Sequence, residues 1–282
     1  MRLRRYANVG AFAIEAQGFL LRHEAHHHLL LGIVAGLQAG TGGAPEPYLA
    51  TVLSGPEVVA VALMTPPRNL VVSLTAAPEA PALVARDLHD EGWPVPGLLG
   101  PAEASHAFAD AWAAETGSVA RAGMTQRIYR VERVRPVDGV PGALRRATVA
   151  DRDLLVRWVA AFSAEAGGDD PEAAEIVDAR LTGPGGGLYL WEDGGALVSL
   201  AGHAGPTPNG MRIGPVYTPP EHRGRGYAGA CVAALSRLLL DGGRRWCFLF
   251  TAVTNTAAIR AYERVGYEPV CVVQEYRFAP RG

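Results

Sequence analysis

The sequence predicts an α/β (α+β) chain built as two related halves. Three observations lead there. Helical and strand-like runs follow one another twice in the same order: helices, three strands, helix, strand, helix, strand. In the second half, the three successive strands are joined by turns too short for a crossover helix, at Asp193-Gly194 and Pro208-Asn209-Gly210, so they are hairpin-linked. Between the two series lies Pro136–Pro141, PVDGVP, which reads as a linker. A divergent internal duplication accounts for the order, with expected boundaries at 1–135, 136–142 and 143–282.

The first half opens with helical spacing over Val9–Leu20 and Ala25–Ala39, followed by a Gly- and Pro-rich loop at Thr41–Pro47. Tyr48–Leu53, Val58–Met64 and Leu70–Leu74 read as strands, separated by Ser54-Gly55-Pro56 and Pro66-Pro67. A helix over Pro78–Glu91, a short strand at Gly97–Leu99, a helix over Ala102–Thr116 and an arginine-rich strand at Met124–Val134 complete it. In the second half, Val149–Glu165, with Ala150 or Asp151 at its cap, and Pro171–Leu181 read as helices. A glycine cluster at Gly183–Gly187 precedes strands at Leu188–Glu192, Ala196–His203 and Met211–Tyr217. Ala228, Cys231, Val232, Leu235, Leu238 and Leu239 recur at helical spacing, and Trp246–Thr251 is a continuous apolar strand. A helix over Asn255–Val265 ends at Gly266, ahead of a last strand at Cys271–Phe278.

Composition narrows the function classes. The chain has 282 residues, enough for two ordinary domains, and is 49% hydrophobic and 19% charged. A net charge of −2 argues against a general nucleic-acid binder. All 26 basic residues are arginine, which excludes Schiff-base lysine chemistry and a Walker A lysine. Cys231, Cys247 and Cys271 are far apart and lie in apolar segments, so they read as buried thiols of a reducing cytoplasm. The N-terminal MRLRRYANVGAFAIEAQGFLL imitates a signal peptide, but Glu15 and Gln17 interrupt its apolar run. No run of about 18 uncharged apolar residues suggests a membrane span.

The segment Met211–Ala228, MRIGPVYTPPEHRGRGYA, concentrates the chemistry. It places a strand, a Pro-containing turn and a glycine-arginine loop directly before a helix. Helix N-termini leave backbone N–H groups unpaired and favour negative charge. Gly224 and Gly226 let the backbone approach a ligand, and Arg223 and Arg225 supply two permanent cations with phosphate-matching geometry. Gly224-Arg225-Gly226-Tyr227-Ala228-Gly229 also fits the G-x-G-x-x-G dinucleotide pattern. Its context does not: Thr218–Arg223 separates strand from glycine, and Trp246–Thr251 ends without an acidic residue.

The segment resembles the acetyl-CoA signature of the GNAT superfamily of N-acetyltransferases. The matching residues are Arg223, Gly226 and Ala228, with Gly224. A second element, Asn255, Ala258, Tyr262 and Gly266-Tyr267, matches the superfamily's Asn-to-Gly-aromatic pattern about 30 residues on. The resemblance covers roughly residues 143–278. It implies a mixed, mostly antiparallel central sheet flanked by helices in each half. It also implies coenzyme A pyrophosphate on Arg223–Ala228, including Tyr227, with pantetheine beside Val216, Tyr217 and Thr218 and in contact with Asn255. Tyr262 would hydrogen-bond the thioester sulfur and protonate the leaving thiolate. Candidate general bases are Glu165, His203 and Glu275, with Glu165 or a water relay preferred. The first half carries Leu74-Thr75-Ala76-Ala77-Pro78-Glu79-Ala80-Pro81 at the matching place and reads as a degenerate copy without the phosphate chemistry.

The expected activity is therefore acetyl transfer from acetyl-CoA to a primary amine, with a non-catalytic acyl-CoA-binding module or regulatory subunit as the rival. The expected partners are a small-molecule or peptide amine acceptor and a second copy of the chain in a homodimer, with neither nucleic acid nor membrane. Loops around Glu165–Pro171 would border the acceptor. His23, His26, His27 and His28 invite a metal reading, but the only carboxylate beside them, Glu24, points elsewhere on the helix, so a polar helix face is expected and no metal.

Overall fold

The computed structural model describes residues 1–40, 46–166, 173–183 and 185–280. Parts of three expected segments therefore lie outside the described residues: 41–45 of the first loop, 167–172 before and at the start of the Pro171 helix, and 184 of the glycine cluster. The first half runs β1 (Arg2–Arg5), α1 (Val9–Arg22), α2 (Glu24–Gln38), β2 (Tyr48–Ser54), β3 (Glu57–Met64), β4 (Leu70–Val72), α3 (Ala80–Asp90), β5 (Gly97–Pro101), α4 (Ala102–Thr116) and β6 (Val119–Val131). The second runs β7 (Ala143–Arg146), α5 (Arg152–Glu165), α6 (Ala173–Thr182), β8 (Gly186–Asp193), β9 (Ala196–Pro206), β10 (Gly210–Tyr217), α7 (Tyr227–Asp241), β11 (Trp246–Ala252), α8 (Thr256–Val265) and β12 (Glu268–Ala279).

The repeated order is present and complete. Each half carries one strand that periodicity does not reveal: β1, RLRR, and β7, ALRR. Four residues with a single large apolar side chain have no readable alternation. Both are antiparallel partners of a following strand, β1 of β2 and β7 of β8. Charged residues on such strands discourage pairing with foreign chains.

Two compact units form, and their limits differ from those expected. The first contains Met1–Ile128 together with the chain from Val270 onward; the second is Tyr129–Pro269. The last strand of the second half therefore completes the first unit, where β12 pairs antiparallel with β5 from Val273↔Pro101 to Arg277↔Gly97. Conversely, Tyr129 and Val131 at the end of β6 are buried in the core of the second unit. The expected linker is docked rather than free. Val137 and Val140 pack on that same core, and the Trp191 indole donates to the Pro141 carbonyl at 2.9 Å.

Alternation along the strands divides each unit's core into two layers. In the first, Tyr48, Ala50 and Val52 face α3 and α4, while Leu49 and Leu53 face α1 and α2. In the second, Leu188, Leu190, Leu200 and Tyr217 pack against α5 and α6, whereas Ala201 and Ile213 pack against α7 and α8. Asp151 forms a capping box with Thr148 just ahead of α5 and accepts two bonds from Arg145, which hold its carboxyl down at about 2. Cys231 and Cys247 are buried in the second core and Cys271 is half-buried. No helix among the described residues is long and apolar enough to cross a membrane.

The histidine cluster is structural at its centre. His27 is buried, its Nδ1 lies 3.0 Å from the Leu20 carbonyl, and its Nε2 accepts from the Leu74 amide at 3.1 Å. Accepting at Nε2 fixes the proton on Nδ1, so neither nitrogen is left for a metal. Burial, with the His26, His23 and Arg22 charges added, lowers His27 to about 4. Its folded value lies below the unfolded one, so unfolding takes up a proton and stability falls as pH drops from about 6.5 towards 4. At about 1.4 kcal/mol per pH unit the full loss is on the order of 3 kcal/mol. Replacing His27 with Gln should flatten the pH dependence of chemical unfolding in that window by about one proton; an unchanged slope would refute the assignment.

Candidate active site

The geometry of the site is set by β10. Its parallel ladder with β11 is short, running from Gly210↔Trp246 to Arg212↔Phe248. On its other edge β10 stays paired with β9 as far as Tyr217↔Leu200, through an irregularity between Ile213 and Val216. Such a bulge bends a strand and re-aims its groups. Gly214 lies inside it at φ +146, a conformation that side chains disfavour. Val216 and Tyr217 thus lie past the last β11 pair, on a strand with one edge free for an extended ligand.

The end of β10 is tightly organised. The Thr218 hydroxyl and the Ser199 hydroxyl are 2.8 Å apart, and Ser199 donates to the Tyr217 carbonyl at 3.1 Å. With its own hydrogen committed to Tyr217, Ser199 must accept from Thr218. The Tyr217 ring is buried and lies 6.0 Å from Trp158 of α5.

The loop that follows reaches α7 through two glycines in the left-handed region, Gly224 at φ +78 and Gly226 at φ +86. Gly226 is the N-cap of α7; it has no side chain to satisfy the first-turn amides, and the first turn holds no acidic residue. The amides of Tyr227, Ala228 and Gly229 are therefore available to an external acceptor. A Cβ on Gly226 would lie 3.0 Å from a Val140 methyl, whereas one on Gly224 would meet open space. Arg223, Gly224, Arg225 and Gly226 are all exposed.

The two arginines differ in freedom. Arg223 donates to the Thr218 carbonyl at 2.9 Å and to Glu165 Oε1 at 2.5 Å, and lies 5.8 Å from the Tyr217 ring centre. It braces the loop against β10 and the end of α5. Among the described residues Arg225 forms no ion pair; it is exposed, and its guanidinium acts on the Tyr227 hydroxyl. Tyr227 anchors the loop from below: its ring is buried and its hydroxyl donates to Asp193 Oδ2 at 2.6 Å, which with burial raises its pKa. Asp193 sits in the β8–β9 hairpin, and only the tertiary fold brings it to Tyr227.

Asn255 caps α8, accepting from the Ala258 amide at 3.1 Å while remaining exposed. Its NH2 group is left for another partner. Tyr262 is buried on α8, 6.1 Å from the Tyr267 ring, and burial raises it to about 12. It is therefore a neutral donor at ordinary pH. Among the described residues its hydroxyl has no hydrogen-bond partner, unlike that of Tyr267, which pairs with Ser236 at 2.8 Å.

The three candidate bases part company. Glu165 ends α5 and reaches the loop as the partner of Arg223. His203 lies on β9 opposite Ile213 and so faces α7; burial, then the Arg180, Arg146 and Arg244 charges, lower it to about 4. Glu275 belongs to the first unit, where β12 has carried it, and accepts from the Met124 amide at 3.3 Å and from Asn69 at 3.4 Å.

The first unit repeats the layout with different chemistry. β4 runs parallel to β5 at Leu70↔Leu98 and Val71↔Leu99. Beyond it the Leu74 amide is taken by His27, and Ser73 Oγ accepts from the Val61 amide and donates to the Leu74 carbonyl. The matching helix, α3, has Glu79 at its N-cap and Pro81 in its first turn, so a carboxylate and a missing N–H stand where the second unit offers open amides. Among the described residues, no group of three or more His, Cys, Asp and Glu side chains is placed to hold a metal ion.

Residues 153–267 match the acetyltransferase (GNAT) family model. Curated proteins give no match. Among solved structures, a Drosophila protein superposes with a TM-score of 0.71 at 13% identity over 99% of both chains. A GCN5-related N-acetyltransferase from Sphaerobacter thermophilus gives 0.61 at 17% identity, over 98% of this chain and 95% of that one. A tandem GNAT protein from the clavulanic acid biosynthesis pathway gives 0.58 at 16% identity, over 100% and 99%. At these identities the superpositions establish the fold, and they do so across both units. With its second half matching the family model itself, the chain carries an acyltransferase domain of the acetyltransferase (GNAT) family.

Proposed function

We propose that the second unit transfers acetyl from acetyl-CoA to a primary amine by direct attack in a ternary complex, and that the first unit binds no coenzyme. The observation that carries this reading is the coincidence of a free β10 edge with an uncapped helix N-terminus fronted by two left-handed glycines. The Arg223 amide is taken by the Pro220 carbonyl, so the amides of Gly224–Ala228 would hold the pyrophosphate, and Arg225 would add its charge. Pantetheine would extend along Val216, Tyr217 and Thr218 and meet the Asn255 amide.

With the thioester beside β10, a backbone N–H at Val216 or Tyr217 would stabilise the tetrahedral oxyanion, a contribution of about 3 kcal/mol. The amine nitrogen bonds to the acetyl carbon, the C–S bond breaks, and Tyr262 donates a hydrogen bond to the departing sulfur. The ammonium formed on attack gives its proton through water to Glu165 on the rim of the loop. A covalent acyl-cysteine is disfavoured: Cys231 and Cys247 are sealed in the α7–β11 core, and burial drives both thiols up, Cys247 to about 12.

Three substitutions test the reading. Gly226→Asp should weaken coenzyme A binding by about 100-fold or more, through strain, the Val140 contact and repulsion of phosphate; calorimetric affinity equal to wild type would defeat the cradle. Tyr262→Phe should lower kcat by about 10- to 100-fold with coenzyme A affinity nearly kept, and an unaltered kcat would remove the tyrosine from the mechanism. Glu165→Gln should abolish the acidic limb of the kcat/KM profile, whereas loss of affinity with the limb intact would reduce Glu165 to a brace for Arg223.

A further inference from the structure

Two arginines of the second unit lie at the closed end of the β10–β11 cleft without a carboxylate. Arg212 is the last β10 residue paired with β11. It lies opposite Ala204 of β9, one residue out of step with Ile213, and so on the face that carries α5 and α6. Arg180 comes from α6, and its Nη1 donates to the Gly214 carbonyl inside the bulge, two residues before Val216.

Room for these side chains is built into the strands. A Cβ on Gly202 of β9 would lie 2.9 Å from Arg180 Nη1, and one on Gly186 of β8 would lie 3.3 Å from Arg180 Cγ. A Cβ on Gly210 would overlap the Phe248 ring. Gly202 thus makes way for the Arg180 guanidinium and Gly186 for its aliphatic stem, while Gly210 makes way for the Phe248 ring.

The charges are set apart from acids. Among the described residues neither Arg180 nor Arg212 forms an ion pair. Asp178, the acid nearest Arg180 in sequence, is held by Arg152 through bonds of 2.6 and 2.7 Å. Burial lowers both guanidinium groups, and Arg212 lowers Arg180 further, to about 10. Two neighbouring, partly desolvated cations with unused N–H forks are an unfavourable arrangement that an anion relieves. The Trp246 indole N–H, at the start of β11, is also buried without a partner.

We infer that Arg180 and Arg212 form a carboxylate-binding pocket for the acceptor, so that the acyl group is transferred to the amine of an amino acid or of a similar molecule bearing a free carboxylate. The proposal rests on the acyltransferase reading for the identity of its ligand, but the pocket itself does not depend on turnover. A carboxylate gripped at the closed end of the cleft would anchor the acceptor two residues from the proposed oxyanion donor. That distance suits an amine one or a few bonds away from the carboxylate.

The test pairs each of the common L-amino acids with its carboxamide as acceptor. Carboxamide amines are less basic and so more of each is neutral at a given pH, which biases the chemistry against the expected result. Wild type should nonetheless prefer the acid in at least one pair by about 100-fold in kcat/KM. Arg212→Met should erase that preference through KM, and Arg212→Lys should restore part of it. In parallel, thermal unfolding of the coenzyme A complex is followed with N-acetyl-amino acids and their amides. The acids should raise the wild-type Tm selectively and leave that of Arg212→Met unmoved. The unliganded variant should melt at or above wild type, because an unpaired charge has been removed. Equal use and equal stabilisation by acids and amides in every pair would overturn the pocket, as would a preference that survives Arg212→Met. Acid-selective stabilisation lost in Arg212→Met, with no amine acetylated, would leave the pocket standing and overturn the acyltransferase reading instead.

Discussion

The arrangement depends on where one hydrogen-bonded ladder stops. β10 and β11 are paired for three residues, and the last pair is Arg212↔Phe248. Had the ladder continued, the free edge of β10 would be buried in the sheet and the loop before α7 would front an ordinary helix end. Because it stops, the bulge around Gly214 has a consequence beyond local geometry: it redirects β10 while β9 still holds it. The strand is rigid on one side and unsatisfied on the other. That asymmetry creates a place for an extended ligand without sacrificing the core, whose two layers continue on either face.

The loop before α7 shows how such a place is kept open. Its two positive-φ glycines and bare helix cap are individually destabilising, so the segment must be held by contacts elsewhere. Tyr227 supplies one from beneath through Asp193, and Arg223 supplies another from the side through Thr218 and Glu165. Both anchors attach to β-structure or a long helix end, leaving the amides at the crest uninvolved. The same logic applies at the closed end of the cleft, where unpaired arginines are tolerated in a setting that glycines have cleared. Features that weaken an isolated domain are concentrated along one line, from Arg212 to Ala228.

Much of this line was legible in the sequence, because glycine-arginine spacing before an amphipathic helix has few structural uses. The Asn255–Tyr267 element was legible for the same reason, and the cap role of Asn255 follows from its place before Thr256. Nothing local could reveal Asp193 as the partner of Tyr227, since 34 residues separate them. Arg180 and Arg212 were equally hidden: nothing in the sequence separates them from the other 24 arginines, and only the strand register of Arg212 and the bond from Arg180 to the Gly214 carbonyl bring them to one face. In the fold, strands with clear alternation were found within a few residues. β1 and β7 were missed because three of four residues in one and two of four in the other are arginine.

The strand exchange changes what the duplication means. By element order the halves are independent copies, yet β12 pairs with β5 in the first unit and Tyr129–Val131 fills the core of the second. Neither half contains all the residues of the unit it mostly builds. A cut at the linker would strip the first unit of an internal sheet partner, and would strip the second of two fully buried side chains, Tyr129 and Val131. The free edge of β5 and the cavity left in the second core would each cost stability by separate mechanisms. The first half, in which His27 takes the Leu74 amide, is therefore required for both units whatever its own cleft binds. Its sheet receives the strand that follows α8, so the chain leaves the second unit at Pro269, seven residues after Tyr262.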